Sequence, residues 1–171
     1  MKKREESIRE RGVLSVFGIG AGKIELKLPK TAFSPGEKID GKLLLSLSGP
    51  MNAKGLFVRL YAEQSFREKD AKGNMTVKTR RIYDFPLQLD GEKEYPKTAE
   101  PLSYDFELKV PESAGQKQEQ QSPLPGWLSS VSIGLLQIGG SGPVGLPRWF
   151  VEGHLDIPLA FDIKARVQLN I

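Results

Sequence analysis

Phe161-Asp162-Ile163-Lys164-Ala165-Arg166-Val167-Gln168-Leu169-Asn170-Ile171 alternates apolar with polar residues at every step. Successive side chains of a β-strand point to opposite faces, so period-two alternation marks a strand with one dry and one wet side. Phe161, Ile163, Ala165, Val167, Leu169 and Ile171 are therefore expected to turn to a core.

The same period recurs upstream. Ile24, Leu26 and Leu28 share one parity, as do Ile39, Leu43, Leu45 and Leu47, and then Leu56, Val58, Leu60 and Ala62. Leu102, Tyr104, Phe106, Leu108 and Val110 alternate with Ser103, Asp105, Glu107 and Lys109. Val151, Gly153, Leu155 and Ile157 oppose Glu152, His154 and Asp156, and a further strand runs from Ile82 to Leu89. About seven or more short strands joined by Gly and Pro turns predict an all-β, immunoglobulin-like antiparallel β-sandwich. Residues 1–20 read as a charged N-terminal arm, and 21–171 as a single sandwich domain.

One span breaks the pattern. Residues 111–148 lack alternation, open on a Gln-rich run and carry no charge from Gln120 to Pro147. They read as one long irregular insertion. At about 100° per residue, Trp127, Leu128, Val131, Leu135 and Ile138 share one side of a helical wheel. Gly and Pro bracket the stretch, and it is too short and too interrupted to span a bilayer.

With 171 residues the chain can bury a full core without a metal or disulfide. It has no cysteine, which excludes disulfides and thiolate sites and fits a reducing, cytoplasmic setting. The net charge of +4 is spread among interleaved charges of both signs. No basic and aromatic stripe marks nucleic-acid binding. The Asn74-Met75-Thr76 sequon carries no weight without a secretory signal.

Enzymatic chemistry finds little material. Gly18 to Lys23 resembles a phosphate loop, but the glycine spacing is wrong, Ile24 follows the lysine, and a strand comes next. Ser141 lacks a nucleophile-elbow frame because Pro143 stands where glycine is needed. His154 is the only histidine and reads as a surface residue in a salt-bridge row with Glu152 and Asp156. No catalytic, metal or cofactor site is expected.

Four landmarks carry a family resemblance. Ser15 to Lys23 precedes the first strand. Ser34-Pro35-Gly36-Glu37 leads to Gly41 in the second. Tyr104 to Val110 ends on Pro111, and Leu155-Asp156-Ile157 precedes the last strand. In this order they resemble the N-terminal domain of the arrestin superfamily. The nearest branch is that of the bacterial and archaeal sporulation-control proteins, with the retromer cargo-binding subunit more distant. The resemblance implies an arrestin-type sandwich serving as a non-enzymatic adaptor or scaffold, which captures a protein partner on a sheet edge or concave face. Such domains have a neighbour at one end, and a homodimer through a strand edge or through 123–146 would supply one.

Two segments are candidate partner-binding elements. Arg67, Lys69, Lys72, Lys78, Arg80 and Arg81 outnumber Glu68 and Asp70 around the turn signal at Asp70 to Asn74. They read either as an edge hairpin kept soluble by cations, the favoured reading, or as a dock for an acidic tail, a phosphorylated peptide or an anionic membrane. Trp127, Leu128, Val131, Leu135 and Ile138 read as cover for one sheet, as a partner surface or as a membrane-interface helix. The alternative function is a peripheral membrane binder using the apolar 124–146 segment with the basic 67–81 hairpin; it is disfavoured because that segment's polar face offers Ser and Gln instead of cations.

Overall fold

The computed structural model describes residues 20–114 and 142–171, and the backbone of 13–17. The strands are β1 Val13–Phe17, β2 Gly22–Leu28, β3 Lys38–Leu47, β4 Met51–Ala53, β5 Gly55–Lys69, β6 Met75–Asp90, β7 Lys93–Tyr95, β8 Leu102–Lys109, β9 Gly142–Asp156 and β10 Ile163–Leu169. Sheet one has the order β1-β2-β3-β8 and sheet two the order β10-β9-β5-β6. β4 and β7 form a separate two-stranded sheet. Every strand pair is antiparallel.

The dry parities meet as the alternation predicts. Ile24, Leu26, Ile39, Leu43, Leu45 and Leu108 of sheet one are buried against Leu56, Val58, Leu60, Val151, Leu155 and Val167 of sheet two. Full burial of such a side chain contributes roughly 1.5–3 kcal/mol, so this layer dominates stability. The wet face of sheet one is a lattice of opposite charges. Lys42 meets Asp105 at 3.2 Å, Lys38 meets Glu107 at 2.9 Å, and Lys23 meets Glu25 at 2.7 Å.

Two of the sequence landmarks are one structure. Glu37 N–H donates to Ser34 C=O at 3.0 Å across Pro35 and Gly36. Gly36 takes φ +80°, the position of a type II turn that glycine favours. The turn is then stitched to the end of β8: Gly36 N–H donates to Val110 C=O at 3.0 Å, and Val110 N–H to Glu37 C=O at 2.9 Å. The Glu37 side chain folds back to accept from Ser34 N–H at 2.8 Å and also binds Lys30. Further along β3, Gly41 pairs with Phe106 of β8, whose ring lies across it. A Cβ at Gly41 would sit 2.3 Å from Phe106 Cζ and 2.8 Å from Leu28 Cδ2.

The structure departs from the sequence reading at four places. Val13–Phe17, inside the stretch read as a charged arm, pairs with β2 as an edge strand. Gly142 to Arg148, inside the span read as irregular insertion, is the first half of β9; its two prolines and two glycines conceal the alternation. The strand read from Ile82 to Leu89 extends from Met75 to Asp90, so the hairpin read at 67–81 is the continuation of β5 and β6 and not a separate element. Phe161 is 98% exposed instead of buried, since β10 begins only at Ile163.

Gly41→Ala is expected to lower stability by about 1–3 kcal/mol through overpacking. Gly49→Ala, where a new Cβ meets nothing within 4 Å, is expected to stay within about 0.5 kcal/mol. Urea unfolding of the two variants checks this, with a shifted midpoint and an unchanged slope for the first.

Candidate partner-binding edge

Sheet two is longer than the sheet that covers it. β5, β6 and β9 have 15, 16 and 15 residues, whereas the longest strand of sheet one has 10. The excess forms a three-stranded arm from 64–69, 75–81 and 142–148. Its root is Gln64, which is 5% exposed at a core-side position. Opposite it β9 bulges, because Glu63 pairs with Arg148 and Ser65 with Val144. The Gln64 amide fills the bulge, donating to Gly145 C=O at 3.0 Å and Val144 C=O at 3.2 Å. Beyond Gln64 core-side burial stops: Phe66 is only half-buried, and Lys78 and Arg80 are exposed.

At the tip Asp70 builds the turn. Its Oδ1 accepts from Lys72 N–H and Asn74 N–H, each at 2.8 Å, and Gly73 takes φ +84°. These bonds hold the Asp70 carboxyl below the usual carboxylate range, the one from Asn74 most of all.

The six basic residues singled out in the sequence are divided by this geometry. Lys78 and Arg80 lie on the core-side face with Phe66 and Glu68. Glu68 binds both, Lys78 at 2.9 Å and Arg80 at 2.6 Å, and the Arg80 guanidinium lies 5.5 Å from the Phe66 ring centre. The hydrogen bond from Lys78 leads the causes that hold the Glu68 carboxyl below its ordinary range. Arg67 and Lys69 point to the opposite, outer face, where Val77 and Met75 are their cross-strand partners. Lys72 stands in the turn. Arg81 bends inward along the outer face, 4.2 Å over the Tyr61 ring, and bonds Asp84 at 3.1 Å.

Among the described residues β6 is an edge strand of sheet two, with β10 at the opposite edge. Its two halves differ. Along the sandwich body the pairing with β5 shifts at Ala62/Glu63 and again at Leu56/Phe57, and Pro86 sits between the shifts. Bulges and proline blunt an edge against further pairing. From Met75 to Arg81 the register runs unbroken against Lys69 to Glu63, with no proline. Met75 is 43% and Val77 58% exposed there.

The outer face of the body holds two stacked pairs that the sequence reading missed. Phe57 stacks on His154 at 5.1 Å between centres, and Tyr61 on Phe150 at 5.2 Å. Their signal was aromatic residues at wet-face parity. His154 is corrected from a surface residue in a salt-bridge row to a buried, stacked one at 9% exposure. Its Nδ1 has no hydrogen-bond partner among the described residues. Burial pushes its pKa down, and the Arg59 and Lys164 charges add to this against Asp162 and Asp156.

Among the described residues no cluster of three His, Cys, Asp or Glu side chains could hold a metal. No helix there is long and apolar enough to cross a membrane. The loop resembling a phosphate site opens β2, where Ser48 Oγ donates to Gly20 C=O at 2.9 Å and Ala21 C=O at 2.8 Å. Trp127, Leu128, Val131, Leu135, Ile138 and Ser141 lie outside the described residues.

No family model matches the chain, and no curated protein matches it in sequence. Among solved structures it is similar to Spo0M, a sporulation control protein from Bacillus subtilis. The TM-score is 0.56 at 18% identity, over 89% of this chain and 49% of Spo0M. The chain thus spans about half of that protein's length. The shared property is the fold, an arrestin-type β-sandwich.

His154 gives a pH dependence with a definite sign. Above the ordinary imidazole value of about 6.5 it is neutral folded and unfolded alike. As pH falls through that value the unfolded chain takes up the proton first, so stability drops until the lowered folded pKa is reached. Urea midpoints between pH 7.5 and 5.5 should therefore fall in the wild type and fall less in His154→Phe.

Proposed function

We propose that this chain is a non-catalytic, cytoplasmic protein-binding module that captures an extended segment of its partner as an added strand on β6. The observation that carries this is the stretch from Met75 to Arg81, an unbulged, proline-free edge standing off the body of the sandwich. Main-chain hydrogen bonds supply affinity in such strand addition, and side chains on alternate positions supply selectivity. The other edge of the arm, at 142–148, carries Pro143 and Pro147, which suit it poorly to the same use.

Two features support an adaptor over a membrane binder. The basic side chains of the hairpin lie on both faces and in the turn, so they present no single plane to a charged surface. The wet face of sheet one already spends its charges in pairs.

Selection from a random displayed-peptide library against the full chain tests the reading, with each binder mapped by backbone amide NMR shifts. The expected result is shifts concentrated at 75–81 and new slow-exchanging amides on that strand. Binders that map to the outer face of sheet one, or no binder at all, would overturn it.

A further inference from the structure

We infer that the β6 edge selects a strand in which acidic and β-branched apolar residues alternate, its carboxylates beside Lys78 and Arg80 and its apolar side chains beside Val77 and Met75. This rests on the strand-addition reading above and adds the chemistry of the partner.

The two faces of the edge are chemically distinct because side chains alternate. Thr76, Lys78 and Arg80 project on one side, and Met75, Val77, Thr79 and Arg81, the last turned back over Tyr61, on the other. A strand pairing with β6 must follow the same period, since residues opposite one another in an antiparallel pair share a face. Lys78 and Arg80 are two residues apart, so carboxylates two apart in the partner meet them in register. Side chains of these cations remain 64% and 58% exposed despite their bonds to Glu68. One carboxylate shared between two cations leaves a positive charge over. The bound partner would complete a row of acid, cation and acid across three strands. On the other face Val77 and Met75 offer exposed apolar surface to cover.

The same arrangement argues against a second copy as the occupant. Antiparallel pairing of β6 with itself about Thr79 would set Lys78 against Arg80, and like charges placed directly opposite destabilise a pair. The cations that keep the edge from its own kind are those that suit an acidic strand.

Three synthetic peptides of equal length test this on the full chain: alternating Glu and Val, an isomer with the same residues in two blocks, and alternating Lys and Val. The alternating acidic peptide should bind about tenfold tighter than the block isomer, in keeping with two cross-strand charge pairs. Added salt should weaken it, and the Lys peptide should not bind. Lys78→Thr together with Arg80→Thr should erase the preference while amide shifts of the sandwich body stay in place. If both acidic peptides bind equally and shift 75–81, edge capture stands and the alternation rule is overturned. If neither shifts those amides, the cations only guard the edge and the inference fails. It fails equally if light scattering reports a dimer whose contact maps to 75–81.

Discussion

β5 is hydrogen-bonded on both sides along nearly its whole length, to β6 and to β9, and the rest of the molecule hangs on that strand. Within the sandwich the pairing lets Leu56, Val58 and Leu60 form a continuous dry row. Past Ala62 the covering sheet ends but the ladder does not. Backbone groups remain satisfied there without a core, so side chains on both faces are free to be polar. Gln64 marks the junction. A buried amide in an apolar row would be costly alone, but here it donates to the Val144 and Gly145 carbonyls at the bulge.

This mismatch in length leaves Met75 to Arg81 as an edge standing off the body of the sandwich. Edge strands are hazards, and this chain manages different parts of the same strand in different ways. The body half of β6 has two register shifts and Pro86; the opposite edge of the arm has Pro143 and Pro147. Of these three stretches, Met75 to Arg81 keeps its register unbroken, and what guards it among the described residues is its charge. Geometric devices exclude every incoming strand, whereas charge excludes by sign. A protected edge that still admits one class of partner is what charge provides and a bulge does not.

The core was legible because a half-buried strand writes its two faces directly into residue order. Ile24 to Leu28, Leu102 to Val110 and Ile163 to Leu169 needed nothing else. Two of the motifs proved to be a single contact, the Ser34 to Glu37 turn bonded to Val110, which explains why both occur in one chain. What failed did so for local reasons. Alternation at Gly142 to Arg148 is masked by residues chosen for a bulge and a guarded edge. Phe161 keeps the period of β10 but precedes the strand, in the turn where Ala160 N–H reaches Ile157 C=O at 3.4 Å. His154 has wet-face parity, yet its cross-strand neighbour Phe57 stacks on it there and Lys164 flanks it on the other side. Parity assigns a side, not what lies upon it. Likewise the basic residues of 67–81 form a cluster in sequence, yet period two sends Lys78 and Arg80 to one face and Arg67, Lys69 and Arg81 to the other.

Glu68 sets the terms on which the arm can act. Without it, Lys78 and Arg80 would face each other across no counter-charge, and the exposed hairpin would pay for their repulsion. With it, the free arm is stable and Glu68 stays ionised, held so chiefly by Lys78. The pairs are solvent-exposed on the cation side, so each is weak and easily shared. An incoming carboxylate need not displace Glu68; it approaches the same cations from the far side of β6. The carboxylate that steadies the arm therefore leaves its cations exposed along the edge, as the proposed strand addition requires and a deeper or fully neutral pairing would not allow.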